Sequence, residues 1–208
     1  MRIFISLFLV SIISGPAFAD EIDDMVATSK ELINQFSTML KQELVTAINE
    51  GGTANAISRC NIKAPEISSA LAKDGWSIGR TSLKIRNPDN APDEFENNIL
   101  NGFEEKKAAG QDINSLAYYK LTEIGNRSEF RYMKAIPVGE MCLQCHGEFI
   151  SEPVLAKLKE LYPDDEAVNF QLGDIRGAFT LRKVFSREVT ELENPELNED
   201  IELPQFEE

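Results

Sequence analysis

Histidine is almost absent from this 208-residue sequence, which contains one, together with three cysteines and one tryptophan. So few metal-ligating side chains exclude a protein with several haem or zinc centres. Basic residues are also scarce, because 21 Lys and Arg stand against 35 Asp and Glu, a formal net charge of -14. Nucleic acids and anionic membranes attract positive proteins, so neither is an expected partner. Hydrophobic residues make up 42%, which suffices for one packed domain.

The one markedly apolar run lies at the N-terminus. A positive charge precedes an apolar stretch over residues 3–13, and Ala17-Phe18-Ala19 follows as a small-residue ending. This three-part pattern is typical of a secretory signal peptide and predicts cleavage after Ala19, which removes residues 1–19. The alternative is an uncleaved anchor or a buried helix, but the run is shorter than the roughly 20 residues that span a bilayer. We therefore expect an exported, periplasmic protein with no membrane insertion after cleavage.

Apolar spacing predicts helices first and mostly strands later. The predicted helices cover residues 21–49, 53–61, 65–73, 94–108 and 153–161. The predicted strands cover residues 75–85, 117–123, 128–138 and 174–185. Gly51-Gly52 ends the first helix, and Pro65 is placed in the first turn of the third. This order predicts an α+β domain over residues 20–186, built on an antiparallel sheet flanked by helices.

The C-terminal segment has a different composition. Residues 187–208 hold nine acidic side chains, one basic side chain, and few apolar ones. Such a segment has too little apolar surface to bury. We expect an acidic, disordered tail there.

One motif carries chemistry, namely Cys142-Leu143-Gln144-Cys145-His146. It is the attachment pattern of a c-type haem. Two thiols separated by two residues reach the two vinyl groups of one porphyrin, and the adjacent imidazole becomes an axial ligand of the iron. Export agrees with this interpretation, because covalent haem attachment takes place outside the cytoplasm. We expect one covalent haem c, bound by Cys142, Cys145 and His146.

Two other interpretations of the cysteines remain open. Cys142 and Cys145 could form a redox disulfide, although the motif lacks the strand-then-helix placement of a thioredoxin site. Cys60, Cys142, Cys145 and His146 could instead form a closed zinc site. The second axial position of a haem iron is also open, because no other histidine exists. The candidates are Cys60, a lysine, water, no ligand, or a methionine (Met25, Met39, Met133 or Met141).

Several runs resemble the Tll0287-like family of c-type haem domains. They are CNIKAPEI at 60–67, GWSIGRTSLKIRNPDNAP at 75–92, FRYMKAIP at 130–137 and GDIRGAF at 173–179, in the same order around the CxxCH motif. The resemblance covers about residues 25–185 and excludes the tail. It implies a PAS-like sensor fold with one c-type haem. It also implies a cysteine and the motif histidine as axial ligands, which fall on Cys60 and His146.

Ligation by the Cys60 thiolate leads to a sensor hypothesis. An anionic sulfur stabilises ferric iron and lowers the reduction potential, and release of Cys60 on reduction would open a position for CO, NO or O₂. The hypothesis is therefore an exported redox or gas sensor that acts through a redox or signalling partner. The alternative is a periplasmic mono-haem electron-transfer cytochrome, which would keep both ligands. An enzyme is not expected, because the sequence shows no second histidine and no nucleophile constellation.

Other side chains receive more ordinary interpretations. One or two of the bases Arg80, Lys84, Arg86, Arg131 and Arg176 could pair with haem propionates, while a solvated sheet edge is the expected place of most. Trp76, Phe130, Tyr132 and Phe179 could line a haem, but core packing explains them equally well. The acidic pairs Asp164-Asp165 and Glu104-Glu105 are interpreted as solvated surface charges.

Overall fold

The computed structural model describes residues 17–186 as eight main elements joined by loops and short 3₁₀ turns. The helices are α1 (Ala17–Leu71), α2 (Glu94–Ala108), α3 (Leu143–His146) and α4 (Glu152–Leu161). The strands are β1 (Trp76–Thr81), β2 (Ala117–Ile124), β3 (Arg127–Pro137) and β4 (Ile175–Ser186). No helix within this described part is both long and apolar enough to cross a membrane.

Helix α1 changes direction at Gly51-Gly52, as the sequence predicts. Gly52 has φ 76° and ψ -177°, which a residue with a Cβ rarely adopts, so the pair separates two helical stretches. The predicted break before Pro65 is wrong, because helical geometry continues from Thr53 through Pro65 to Leu71. A proline removes one intrahelical hydrogen bond. Packing of Ile57 and Ile67 in two separate hydrophobic clusters holds this stretch on both sides of Pro65.

The four strands form one antiparallel sheet in the order β1-β4-β3-β2. Helix and sheet together confirm the α+β prediction. Strand β1 is shorter than predicted, because pairing with β4 ends at Thr81 opposite Ala178. Just beyond, the Ser82 hydroxyl accepts from the Lys84 N–H at 3.2 Å, a local turn that replaces strand pairing. Of the predicted basic face of this strand, only Arg80 therefore remains in it.

The sheet is covered on both faces. Helix α1 packs on one face, where Phe36 and Ile67 contact Ile78, Phe130 and Leu181. Helix α2 packs on the other face through a second set of buried residues, namely Leu100, Phe103, Leu116, Met133, Ala135, Ile175 and Ala178.

Ile175 does not share a face with Phe179, Leu181 and Phe185, contrary to the sequence prediction. Pro137 pairs with Ile175 while Ile136 pairs with Gly177, so Arg176 is an extra residue in β4. A β-bulge of this kind reverses the alternation of faces from that point. The bulge turns Ile175 toward α2, and it lies at the end of the sheet where the CxxCH motif lies.

The predicted acidic tail lies outside the described residues. So does the predicted leader, except that its last three residues form the start of α1. Cleavage after Ala19 therefore stays a prediction. The PAS-like character of the fold also stays a prediction.

Candidate functional site

The CxxCH motif lies beside the end of the sheet that holds the bulge. Strand β3 leads through Val138 into a short 3₁₀ turn and then into α3, which ends at His146. Strand β1 ends and β4 begins at this same end of the sheet. The second stretch of α1 and helix α4 pack together next to it, with Ile57, Val154 and Leu158 buried between them. Four distant parts of the sequence thus meet around one imidazole.

The imidazole of His146 is held by a backbone carbonyl. Its Nδ1 lies 2.7 Å from the Ala167 oxygen, so Nδ1–H donates and Nε2 keeps its lone pair. Metal-ligating histidines are commonly fixed in this way. Burial and then the charges of Arg176 and Arg86 hold the pKa of His146 well below its ordinary value, although the bond to Ala167 raises it. The imidazole is therefore neutral at pH 7 and can act as a ligand.

Three arginines surround His146. The Arg176 Nε lies 3.4 Å from the histidine Nε2, and its Nη1 donates to the Ser82 hydroxyl at 3.0 Å. Burial, followed by repulsion from Arg86 and Arg80, lowers the pKa of Arg176 to about 10. Asp165 pairs with Arg86, whereas Arg176 donates to the neutral Ser82 hydroxyl and Lys84 carbonyl, so the site keeps positive charge in an acidic protein. Such a site favours an anionic group such as a carboxylate.

Arg86 and Asp165 form a largely buried ion pair beside the motif. Their closest approach is 2.9 Å, and their side chains are 11% and 9% exposed. Arg86 and Arg176 are thus not among the bases at a solvated sheet edge, and the interpretation of Asp165 as a surface charge is wrong. Asp164, by contrast, is exposed as expected. The two bases are drawn inward because the loops after β1 and before β4 fold over the motif.

The three cysteines are free thiols, so the structure shows no Cys142–Cys145 disulfide. Cys60 lies on the second stretch of α1, where burial raises its pKa while the charge of Arg80 lowers it. Burial also raises the pKa of Cys145, and the nearby Cys60 and Cys142 add to that increase. The leftover cysteine is thus a neighbour of the motif, as ligation by Cys60 requires.

Of the four methionine candidates, Met141 adjoins the motif and the other three lie on α1 and β3. Met25 packs between α1 and the sheet, and Met133 is fully buried against α2, in clusters that contain no motif residue. Met39 and Met141 are both exposed, by 38% and 40%. Within residues 17–186, no three His, Cys, Asp or Glu side chains are arranged to hold a metal ion.

The four candidate aromatic side chains pack in the core, and a different ring lies beside His146. Trp76, Phe130, Tyr132 and Phe179 belong to the core between α1 and the sheet, as the packing interpretation holds. The ring beside His146 is instead Phe170, at 6.2 Å between centroids and edge-on. Arg176 and Lys84 both lie over that ring, at 5.3 and 4.8 Å.

Sequence reasoning also missed Ala167 and Asp165. Arg86 and Arg176 lie in the runs that carry the family resemblance. Neither that resemblance nor any spacing pattern indicates Ala167 or Asp165. Ala167 acts through a carbonyl that every residue carries. Asp165 meets Arg86 across 79 positions of sequence.

The fold and the site together define an α+β domain with a CxxCH motif and a cluster of arginines at one end of its sheet. A model of the Tll0287-like family matches residues 18–183, and the chain belongs to that family. The crystal structure of the cyanobacterial heme-protein Tll0287 superposes with a TM-score of 0.52 and 25% sequence identity. The match covers 81% of this chain and 95% of that one. A search of curated proteins found no match.

Proposed function

We propose that this protein binds one haem, attached covalently through Cys142 and Cys145, with His146 and Cys60 as axial ligands. We further propose that it is exported, is not an enzyme, and acts as a redox or gas sensor toward a protein partner. The observation that carries the proposal is the presentation of His146, whose Nδ1–H donates to the Ala167 carbonyl, so that the lone pair for a metal is on Nε2, now in contact with Arg176. The similarity to a solved haem protein supports the cofactor.

The residues of the site fit a haem. The guanidinium groups of Arg80 and Arg176 would suit the two propionate groups of a porphyrin, because buried guanidinium groups bind carboxylates well. Arg86 already pairs with Asp165. Arg176 would have to give up its contact with Nε2 when that nitrogen ligates. Phe170 and Leu143 supply apolar surface near the motif. A bound haem supplies an iron that exchanges electrons and, when one axial position is free, takes up diatomic gases.

Cys60 is the residue on which a sensing role depends. Burial disfavours its thiolate while the guanidinium of Arg80 favours it, so two opposed influences act on one ligand. A sensor needs an element with two states of similar free energy. Burial has the larger effect, so a released Cys60 sulfur would be stabilised as the neutral thiol, while the bound state needs the thiolate.

The test is an ultraviolet–visible spectrum of the purified full chain, oxidised and reduced, with and without CO. For the wild type we expect a coloured protein whose reduced spectrum changes with CO. Cys60→Ala should shift the oxidised spectrum and raise the midpoint potential. Met141→Leu is the matched control, because this exposed neighbour of the motif is not a proposed ligand.

Each outcome has a separate meaning. A colourless protein from a host that matures c-type haem would contradict the cofactor. A coloured protein whose reduced spectrum ignores CO would contradict sensing and favour the electron-transfer cytochrome. An unchanged Cys60→Ala spectrum would contradict Cys60 as a ligand. N-terminal sequencing of the same sample should give Asp20 if the leader is removed after Ala19.

A further inference from the structure

We infer that Arg86 is the positioning residue of His146, because it fixes the Ala167 carbonyl that holds the imidazole. The inference rests on the proposed function, in which His146 is a ligand. It concerns an arginine that touches neither the imidazole nitrogens nor the motif sulfurs in any described hydrogen bond. Its effect reaches His146 through the backbone.

A single guanidinium joins the two backbone segments that define the histidine's position. The Arg86 Nη2 donates to the Cys145 carbonyl at 2.6 Å and to the Ala167 carbonyl at 3.2 Å. The first carbonyl immediately precedes His146 in the chain. The second is the acceptor of the His146 Nδ1–H, at 2.7 Å. Arg86 therefore sets the separation between the segment that carries the imidazole and the group that orients it.

Asp165 completes the arrangement from the other side. Its Oδ2 accepts from the Arg86 Nε at 3.0 Å, and its Oδ1 accepts from the Ala167 N–H at 2.9 Å. The peptide groups on both sides of the Ala167 α-carbon are thereby held, one through its N–H and the other through its C=O. Two carboxylate oxygens and one guanidinium fork thus immobilise the residue that holds His146.

The burial of this pair distinguishes it from ordinary surface ion pairs. Arg86 and Asp165 are 11% and 9% exposed, whereas Arg59 and Glu43 are 38% and 32% exposed. A planar guanidinium offers several donors in fixed directions, which a lysine ammonium does not. Simultaneous bonds to a carboxylate and two carbonyls therefore require arginine at position 86. Charge alone is not sufficient.

The test follows the Nδ1–H proton of His146 by ¹⁵N-edited NMR of the full chain. Assignment is unambiguous because the sequence contains one histidine. In the wild type, the proton should exchange slowly with solvent. In Arg86→Lys and in Asp165→Asn, exchange should accelerate about tenfold or more, because local opening exposes the bond. Asn has one acceptor oxygen and cannot serve both Arg86 and Ala167.

Asp164→Asn is the matched control, since it removes the same charge from the exposed neighbour and should leave exchange unchanged. In the pigmented protein, Arg86→Lys and Asp165→Asn should also raise the midpoint potential. An imidazole whose N–H lacks its acceptor donates less electron density to the iron. Unchanged exchange of the His146 Nδ1–H proton in both Arg86→Lys and Asp165→Asn would overturn the inference. The NMR measurement does not need pigment, so a colourless chain would reject the proposed function and leave this inference testable.

Discussion

Single residues decide how the end of the sheet is built, and Gly177 is the clearest case. It has φ 153° at the bulge of β4, where strand β1 passes closely. A Cβ at this position would lie 2.3 Å from the Thr81 carbonyl oxygen and 3.0 Å from the Ser82 Cβ. No side chain fits there without displacing β1.

We predict that Gly177→Ala lowers the free energy of unfolding by about 2–4 kcal/mol, through backbone strain and overpacking. Urea denaturation measures the loss. Gly79→Ala is the control in the paired strand, because its Cβ would meet only the Thr180 methyl at 3.9 Å. It should cost less than about 1 kcal/mol. Equal losses in the two variants would contradict a special role of the bulge.

The residues of the site illustrate what a sequence can reveal. The motif cysteines and His146 follow from a local pattern, and the lone remaining cysteine is conspicuous in a chain with three. The partners of His146 follow no such pattern. Ala167 contributes only its backbone, while Arg86 and Asp165 acquire their roles through a contact across 79 positions. Contacts of that kind depend on tertiary packing and leave no periodic signal in the sequence.

At the scale of elements, helix α2 is tied to the sheet by Glu96. This buried carboxylate accepts from the Arg131 Nη2 at 3.1 Å and from the Thr180 hydroxyl at 2.6 Å. It also accepts from the Asp93 N–H at 3.1 Å, which completes a capping box at the helix start. One side chain therefore links the first turn of α2 to β3 and β4.

Glu96→Gln should lower the free energy of unfolding by about 2–4 kcal/mol, because it removes a carboxylate from a largely buried pair with Arg131. The Nε of Arg131 is already buried without a hydrogen-bond acceptor among the described residues. Thermal or urea unfolding measures the change. The control is Glu94→Gln, an exposed position of the same turn. A loss below about 0.5 kcal/mol at Glu96 would show that the pair contributes little.

Elements were easier to predict than their ends. Helix α2 matches its predicted span, since an aspartate cap and a repeated apolar face mark it locally. The prediction failed at Pro65 and at the end of β1. In both places tertiary contacts overrule the local signal: packing on both sides carries the helix through the proline, and the Ser82 turn ends the strand. The reversal of Ile175 likewise results from a bulge that only strand register defines.

At the scale of the whole molecule, two ion pairs set an expected pH dependence. Partial burial raises the pKa of Asp174, but hydrogen bonds from Lys107 and Gln171 lower it more. Partial burial likewise raises that of Asp93, and bonds from Arg131 and the α2 N-terminus outweigh it. The bond to Asp174 raises the pKa of Lys107.

The directions of these pKa shifts predict an acidic and a basic limb in the pH dependence of stability. Both carboxyl groups titrate lower in the folded state, so their contribution to stability is present above the ordinary value of 3.8 and is lost as the pH falls through the folded pKa. The Lys107 contribution is present below 10.5 and is lost as the pH rises through its folded pKa. Urea midpoints measured from pH 2 to 11 should fall at both ends. Asp174→Asn should weaken both limbs, and an unaltered profile in that variant would contradict the assignment.

Strand β4 is the last described element of the chain, yet it lies between β1 and β3. During synthesis, β1 and β3 are complete long before the strand that must separate them has been made. Until it arrives, each exposes unpaired backbone groups that could join the wrong neighbour. Pairing between Trp76 and Lys183 closes a loop of more than a hundred residues, and such closures are slow. A nascent chain of this topology therefore gains from being kept unfolded until β4 is available.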